Sequence, residues 1–233
     1  MGITAIIGFG TWYLAESGGA LAALGLALAA WLITGTLVGL GDKLGLFRVS
    51  FRESLHRAAR LPRSVWGMTA AHAGLGIIIA GITASSAWRV ERIQLMRPGE
   101  LVEIAGRTVT FNGVRRVQGP NYVAQRGLFT VRNGDDMVIR LTPEKRSYPA
   151  ERSQTTEAAI HTTWLADLYV TLGEKTVEGA WSTRIYYNPL VPWIWTGAIV
   201  MALGGGVSLT DRRLRIGAPR RAAKGTAAPI TTK

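Results

Sequence analysis

Of the three histidines in the chain, only His72 sits where its chemistry would be unusual. It lies in SVWGMTAAHAGLGIIIAGITASSAW, Ser64 to Trp88, a stretch with no charged side chain between Arg63 and Arg89. If that stretch is a helix, His72 lies about two turns, roughly 10 Å, in from the Arg63 end. Such a helix covers the ~30 Å hydrocarbon layer, where an imidazolium is costly and the neutral ring is favoured. Neutral imidazole is the commonest side-chain metal ligand and a usual axial ligand of haem iron. Around it stand Gly67/Ala71, Ala70/Gly74, Gly76/Ala80 and Gly81/Ser85, a spacing that lets a backbone or a flat ligand approach closely. The residues alone leave three readings open: a packing hydrogen bond to a neighbouring helix, a proton or ion path, or ligation of a metal or haem.

The other candidates are plainer. His56 stands among arginines and reads as a solvated surface residue. Glu157 and His161 would meet on one face of a helix, but no nucleophile or second base accompanies them. The run PEKRSYPAERSQTTEAAI alternates charge and hydroxyl. It reads as a solvated loop, or as a docking surface for a partner or for anionic groups such as propionates, which arginine forks suit. No H-E-x-x-H, phosphate-cradling glycine loop or G-x-S-x-G is present, and no catalytic residue is assigned.

The surrounding elements follow from charge segregation. The chain is 48% hydrophobic yet carries a net charge of +12, as in a membrane protein with basic cytoplasmic segments. The basic residues flank apolar runs and form no aromatic-interleaved patch, which argues against nucleic acid as a partner. The absence of cysteine excludes disulfides and thiolate metal sites. Residues 1–88 read as membrane helices at about 2–15, 18–41 and 64–88. The loop 42–63 holds six basic residues and reads as cytoplasmic, part of it a basic amphipathic turn or helix on the membrane surface.

Residues 89–185 are then periplasmic. LVEIAG, RTVTFNGV, YVAQRGLFTVR and MVIRLTP alternate apolar and polar residues, with turn signals at Ala105-Gly106, Asn112-Gly113 and Asn133-Gly134. Asn133-Gly134 predicts a hairpin, ERSQTTEAAIHTTWLA reads as irregular with a short helix, and two strands follow. About six strands predict a small sandwich or open barrel. Residues 186–210 form the last membrane helix, with Tyr186, Tyr187, Trp193 and Trp195 as its aromatic belt. Residues 211–233 form a basic cytoplasmic tail. The fold class is thus a membrane protein with α-helical spans and a small β-rich periplasmic domain.

HAGLGIIIAGIT, RPGE, GPNYVAQRGLFTV, PEKRSYPAERSQTTEAAI, DLYVTLGE and YYNPLVPWIWTGAIVMALGGGVSLTDRR, in that order, resemble the C-terminal part of the CcmF family. These cytochrome c-type biogenesis proteins form the membrane core of the bacterial haem lyase, and the resemblance runs from about Gly18 to Arg215. It implies that His72 is an axial iron ligand of a haem b held among inner-membrane helices, and that this haem reduces the incoming one. It implies as partners a CcmE-type haem chaperone, thiol-handling CcmH/CcmI-type subunits and apocytochrome c. The family's tryptophan-rich WWD segment, its periplasmic-side haem-ligating histidines and its second haem b ligand have no match here. The chain is therefore expected to be a fragment or one half of a split protein, with lyase activity only in a complex with an N-terminal CcmF portion. The contrasting expectation is a cofactor-free membrane anchor whose β domain docks assembly partners.

Overall fold

The computed structural model describes residues 19–211; the expected helix at 2–15 and the tail past Asp211 lie outside the described residues. Among the described residues three long apolar helices can cross a membrane by length and composition: α1 (Gly19–Leu44), α3 (Arg63–Ala87) and α4 (Val191–Leu209). Between the first two lies α2 (Phe51–Arg60). Its start is capped by Ser50, whose hydroxyl accepts from the Glu53 amide, and the Glu53 carboxylate pairs with Arg57 one turn on. Phe51 and Leu55 are exposed on it among Arg52, Arg57 and Arg60, the arrangement of a helix lying on a lipid surface.

Packing of the spans is written in glycine. Gly67, Gly74 and Gly81 of α3 recur every seventh residue, and all three face α4. A Cβ on Gly74 would stand 2.7 Å from the Gly197 carbonyl oxygen, and one on Gly204 would stand 2.6 Å from the Gly67 carbonyl oxygen. The two backbones touch, and dispersion rather than hydrophobic transfer holds such helices together in lipid. Gly76 faces the other way, onto Ala29 and Ile33 of α1. Pro62 offers α3 no side-chain cap, but the Ser64 amide donates to the Asp211 carboxylate (3.0 Å), which closes the helix start onto the far end of α4.

Ten antiparallel strands follow α3 and form two sheets. One has the order β1 (Val90–Met96), β10 (Trp181–Pro189), β9 (Ala166–Lys175), β8 (Ala159–Thr162). The other runs β2 (Leu101–Ile104), β3 (Arg107–Gln118), β4 (Val123–Asn133), β6 (Glu144–Tyr148), β7 (Ser153–Glu157), with β5 (Asp136–Leu141) also on β4. Ile104 pairs with Arg107 across Ala105-Gly106, whose φ values of 47° and 72° suit a two-residue hairpin turn. The expected hairpin joins β4 to β5, but Asn133 pairs with Asp136, so its two turn residues are Gly134-Asp135, with Gly134 at a φ of 59°. Between the sheets Phe111 and Phe129 stack at 4.9 Å with Val109, Val131, Val170 and Ile185 around them, all fully buried. Each such side chain stabilises by about 1.5–3 kcal/mol relative to exposure.

Three local expectations are corrected. Asn112-Gly113 is no turn; β3 runs through it with a bulge, and Gly113 supplies the φ of 118°. ERSQTTEAAIHTTWLA holds strands β7 and β8 rather than a helix. Its threonines favour strand, but polar residues on both faces hide the alternation. Tyr186 and Tyr187 belong to β10, paired with Glu91 and Val90, and the last helix starts only at Val191, where Pro192 suits a first turn.

Candidate functional site

His72 stands on the face of α3 turned toward α1 and is exposed. Its Nδ1 lies 2.8 Å from the Met68 carbonyl oxygen one turn back. A carbonyl only accepts, so Nδ1 carries the proton and donates, and Nε2 holds the free lone pair. The ring thus bonds to its own helix rather than to a neighbouring one. It borders a cleft of about 320 Å³ between α1 and α3. The α1 wall carries a stripe at every fourth residue, Trp31, Gly35, Gly39 and Lys43, beside Leu32, Thr36 and Leu40, and the α3 wall is Met68, Thr69 and His72. Nothing lies within 4 Å of a Cβ placed on Gly35 or Gly39, so both glycines leave open space. The hydroxyls of Thr36 and Thr69 donate to carbonyls of their own helices (2.7 and 2.8 Å), which leaves the walls effectively apolar.

The small residues expected to make room beside His72 are those of α3, yet Gly67, Gly74 and Gly81 are spent on α4 and Gly76 is packed against Ala29 and Ile33 of α1. The room comes from Gly35 and Gly39 on the neighbouring helix. Their i, i+4 spacing was the sequence signal that could have found them. Among the described residues no group of three His, Asp or Glu could hold a bare metal ion. A lone imidazole on an open, apolar, glycine-floored wall suits one axial position of a flat cofactor instead. Lys43 at the rim is placed to face an anionic edge.

The other two histidines are not drawn in. His56 is exposed on α2. His161 lies on β8 opposite Leu168, and Glu157 ends β7, where it accepts from the Thr155 hydroxyl (2.9 Å) and lies 3.9 Å from Arg146. The expected Glu157–His161 helical pair does not form, because the segment is extended.

The charged run that reads as a solvated loop is instead built structure. Glu144 is buried and accepts from Arg126 and from Arg146 (2.8 Å), and the Arg146 guanidinium lies 4.5 Å from the Tyr122 ring centroid. Burial pushes the Glu144 carboxyl up, but the hydrogen bonds from Arg146 and Arg126 outweigh it and hold it below the usual value. On the opposite face of the same strands, the gap between the sheets turns polar. Arg116, Gln125, Lys145, Ser147 and Gln154 face Glu174, Lys175 and Trp181 across a cleft of about 740 Å³, and Lys145 pairs with Glu174. A sandwich interior that becomes polar is a local conflict of the kind functional sites carry. This cleft lies at the Trp181 end of β10, about 26 Å along the strand from the end that leads into α4.

Comparison with known proteins places this architecture. The family model described as the CcmF C-terminal beta-sandwich matches residues 87–189, which takes in every strand. The cytochrome c-type biogenesis protein CycK of Bradyrhizobium diazoefficiens is 42% identical over 211 residues, 91% of this chain and 32% of its own length. The chain belongs to the C-terminal part of the CcmF family. CcmF of Pseudomonas aeruginosa is 38% identical, covering 81% of this chain and 29% of that protein. CcmF of Escherichia coli is 40% identical, covering 84% and 29%. A solved structure titled Cytochrome c Heme Lyase CcmF shares the fold, with a TM-score of 0.69 over 89% of this chain and 33% of that one, at 20% identity. The chain therefore spans about a third of the length of the CcmF and CycK relatives it matches.

Proposed function

We propose that this chain serves cytochrome c maturation as the haem b-holding, C-terminal portion of a CcmF-type haem lyase in the bacterial inner membrane. The observation that carries the reading is the state of His72: Nδ1–H engaged by Met68, Nε2 free beside an apolar cleft floored by Gly35 and Gly39. Those residues fit an axially held macrocycle. His72 would ligate the iron through Nε2, the glycines would admit the ring, and Lys43 would meet a carboxylate at the rim. A haem bound there supplies one-electron transfer to the incoming haem. The protein's share is to hold the ring's tautomer and orientation through Met68 and to keep the cleft apolar. A second ligand to the iron would be supplied by another part of a complete CcmF.

The same proposal sets the loop with α2 in the cytoplasm, by its six basic residues, and the β domain in the periplasm. There the domain would meet a CcmE-type haem chaperone, CcmH/CcmI-type subunits and apocytochrome c. The polar cleft far from the membrane favours a docking role for that domain, and this holds even if no cofactor is bound. The test is spectroscopic. In the assembled CcmF-type protein, the wild type gives a low-spin b-type spectrum, and His72→Ala loses it or turns high-spin while still inserting. An unchanged spectrum in His72→Ala would leave only the docking role.

A further inference from the structure

The turn joining β8 to β9 has a composition and a tether that neither the sandwich nor the haem cleft explains. Thr163 closes it on itself: its amide and hydroxyl both donate to the Ala166 carbonyl (2.9 Å each), and its hydroxyl accepts from the Ala166 amide (3.1 Å). From this locked turn Trp164 and Leu165 project, 79% and 64% exposed. Large apolar side chains at such exposure on a rigid turn need a surface to meet.

Two hydrogen bonds say which surface. The Leu190 amide donates to the Leu165 carbonyl (2.7 Å), and the Trp193 indole Nε1–H donates to the Trp164 carbonyl (3.0 Å). Leu190 immediately precedes α4, and Trp193 lies in its first turn. The turn is therefore level with the start of a span, where Trp195 is also 70% exposed. No charged residue occurs from Thr162 to Ala166 or from Ile185 to Thr210. We infer that the β8–β9 turn is seated in the headgroup layer of the bilayer, with Trp164 and Leu165 as lipid-facing anchors beside the start of α4. Tryptophan suits that layer, since its ring is apolar and its N–H seeks a polar partner. The partner is a phospholipid surface. With α3 and α4 this gives the sandwich a third membrane attachment and sets its tilt, which fixes how far from the lipid its polar cleft is carried. The inference rests on α4 as a span and is independent of haem at His72.

The chain has no cysteine, so single spin labels report cleanly. Trp164→Cys and Leu165→Cys are labelled in the full chain in phosphatidylcholine/phosphatidylglycerol vesicles. Collisions with oxygen are compared with collisions with a water-soluble nickel chelate. Ile199→Cys, 61% exposed in the middle of α4, marks lipid, and Val177→Cys, fully exposed on the far turn, marks water. Both tethering bonds end on backbone carbonyls, so the substitutions preserve them. The expected oxygen-to-nickel ratio at Trp164 and Leu165 lies between the two references and well above that of Val177. A ratio equal to that of Val177 would overturn the inference, and so would protection from both reagents, which would mean a protein cover.

Discussion

A single hydrogen bond decides what His72 can offer. Because the Met68 carbonyl accepts from Nδ1–H, the residue turns Nε2 and its lone pair to the cleft. The cleft beside it is equally a matter of single residues. Filling it with Gly35→Leu should abolish most of the haem absorbance while membrane insertion continues, because nothing lies within 4 Å of the Cβ position; quantifying haem per inserted protein checks this. In the β domain the decisive residue is Glu144. Glu144→Gln leaves Arg126 and Arg146 facing a neutral amide, and should cost the domain about 2 kcal/mol at neutral pH, measured by chemical denaturation. The sign with pH is fixed. A carboxyl held below its usual value stabilises fully above the unfolded-state pKa, and that stabilisation is lost as pH falls through the folded value. The gap between wild type and variant should therefore close on acidification.

At the scale of elements, α3 is a helix with two working faces. One is the glycine line that α4 covers, and the other carries His72, Met68 and Thr69 toward α1. Gly74→Leu should separate α3 from α4 and lower the yield of folded, detergent-stable protein, whereas Gly39→Ala should leave that yield unchanged; size-exclusion profiles distinguish them. Sequence reading reached the spans because charge-free runs of bilayer length have few alternatives. It reached β4–β5 because a glycine between two alternating runs favours a tight turn. It missed β7, whose Ser, Gln, Thr and Glu side chains are polar on both faces, and β8, which at four residues (Ala159–Thr162) is too short to show alternation. It read His72 as the pivot but credited the wrong glycines, since which helix covers which face is a tertiary fact. The Glu144–Arg126–Arg146 cluster and the inward polar cleft were equally out of reach. Both depend on strand register, which is not apparent in a run of mixed charge.

For the whole molecule, the design is a short membrane bundle that holds an imidazole and a sandwich that stands on it. Reporter fusions inserted at Leu46 and at Val177, both exposed, should report opposite compartments, cytoplasmic and periplasmic respectively; the same compartment for both would contradict the orientation. The central claim is that His72 Nε2 ligates haem iron, and the most direct measurement is replacement of that one ligand from solution. In an assembled CcmF-type protein carrying His72→Gly, at a helix cost of about 1 kcal/mol, the low-spin b-type spectrum should be lost. Added imidazole should enter the vacated space above Met68 and restore it in a saturable way. A His72→Gly protein that keeps the wild-type low-spin spectrum with no imidazole added would contradict the claim.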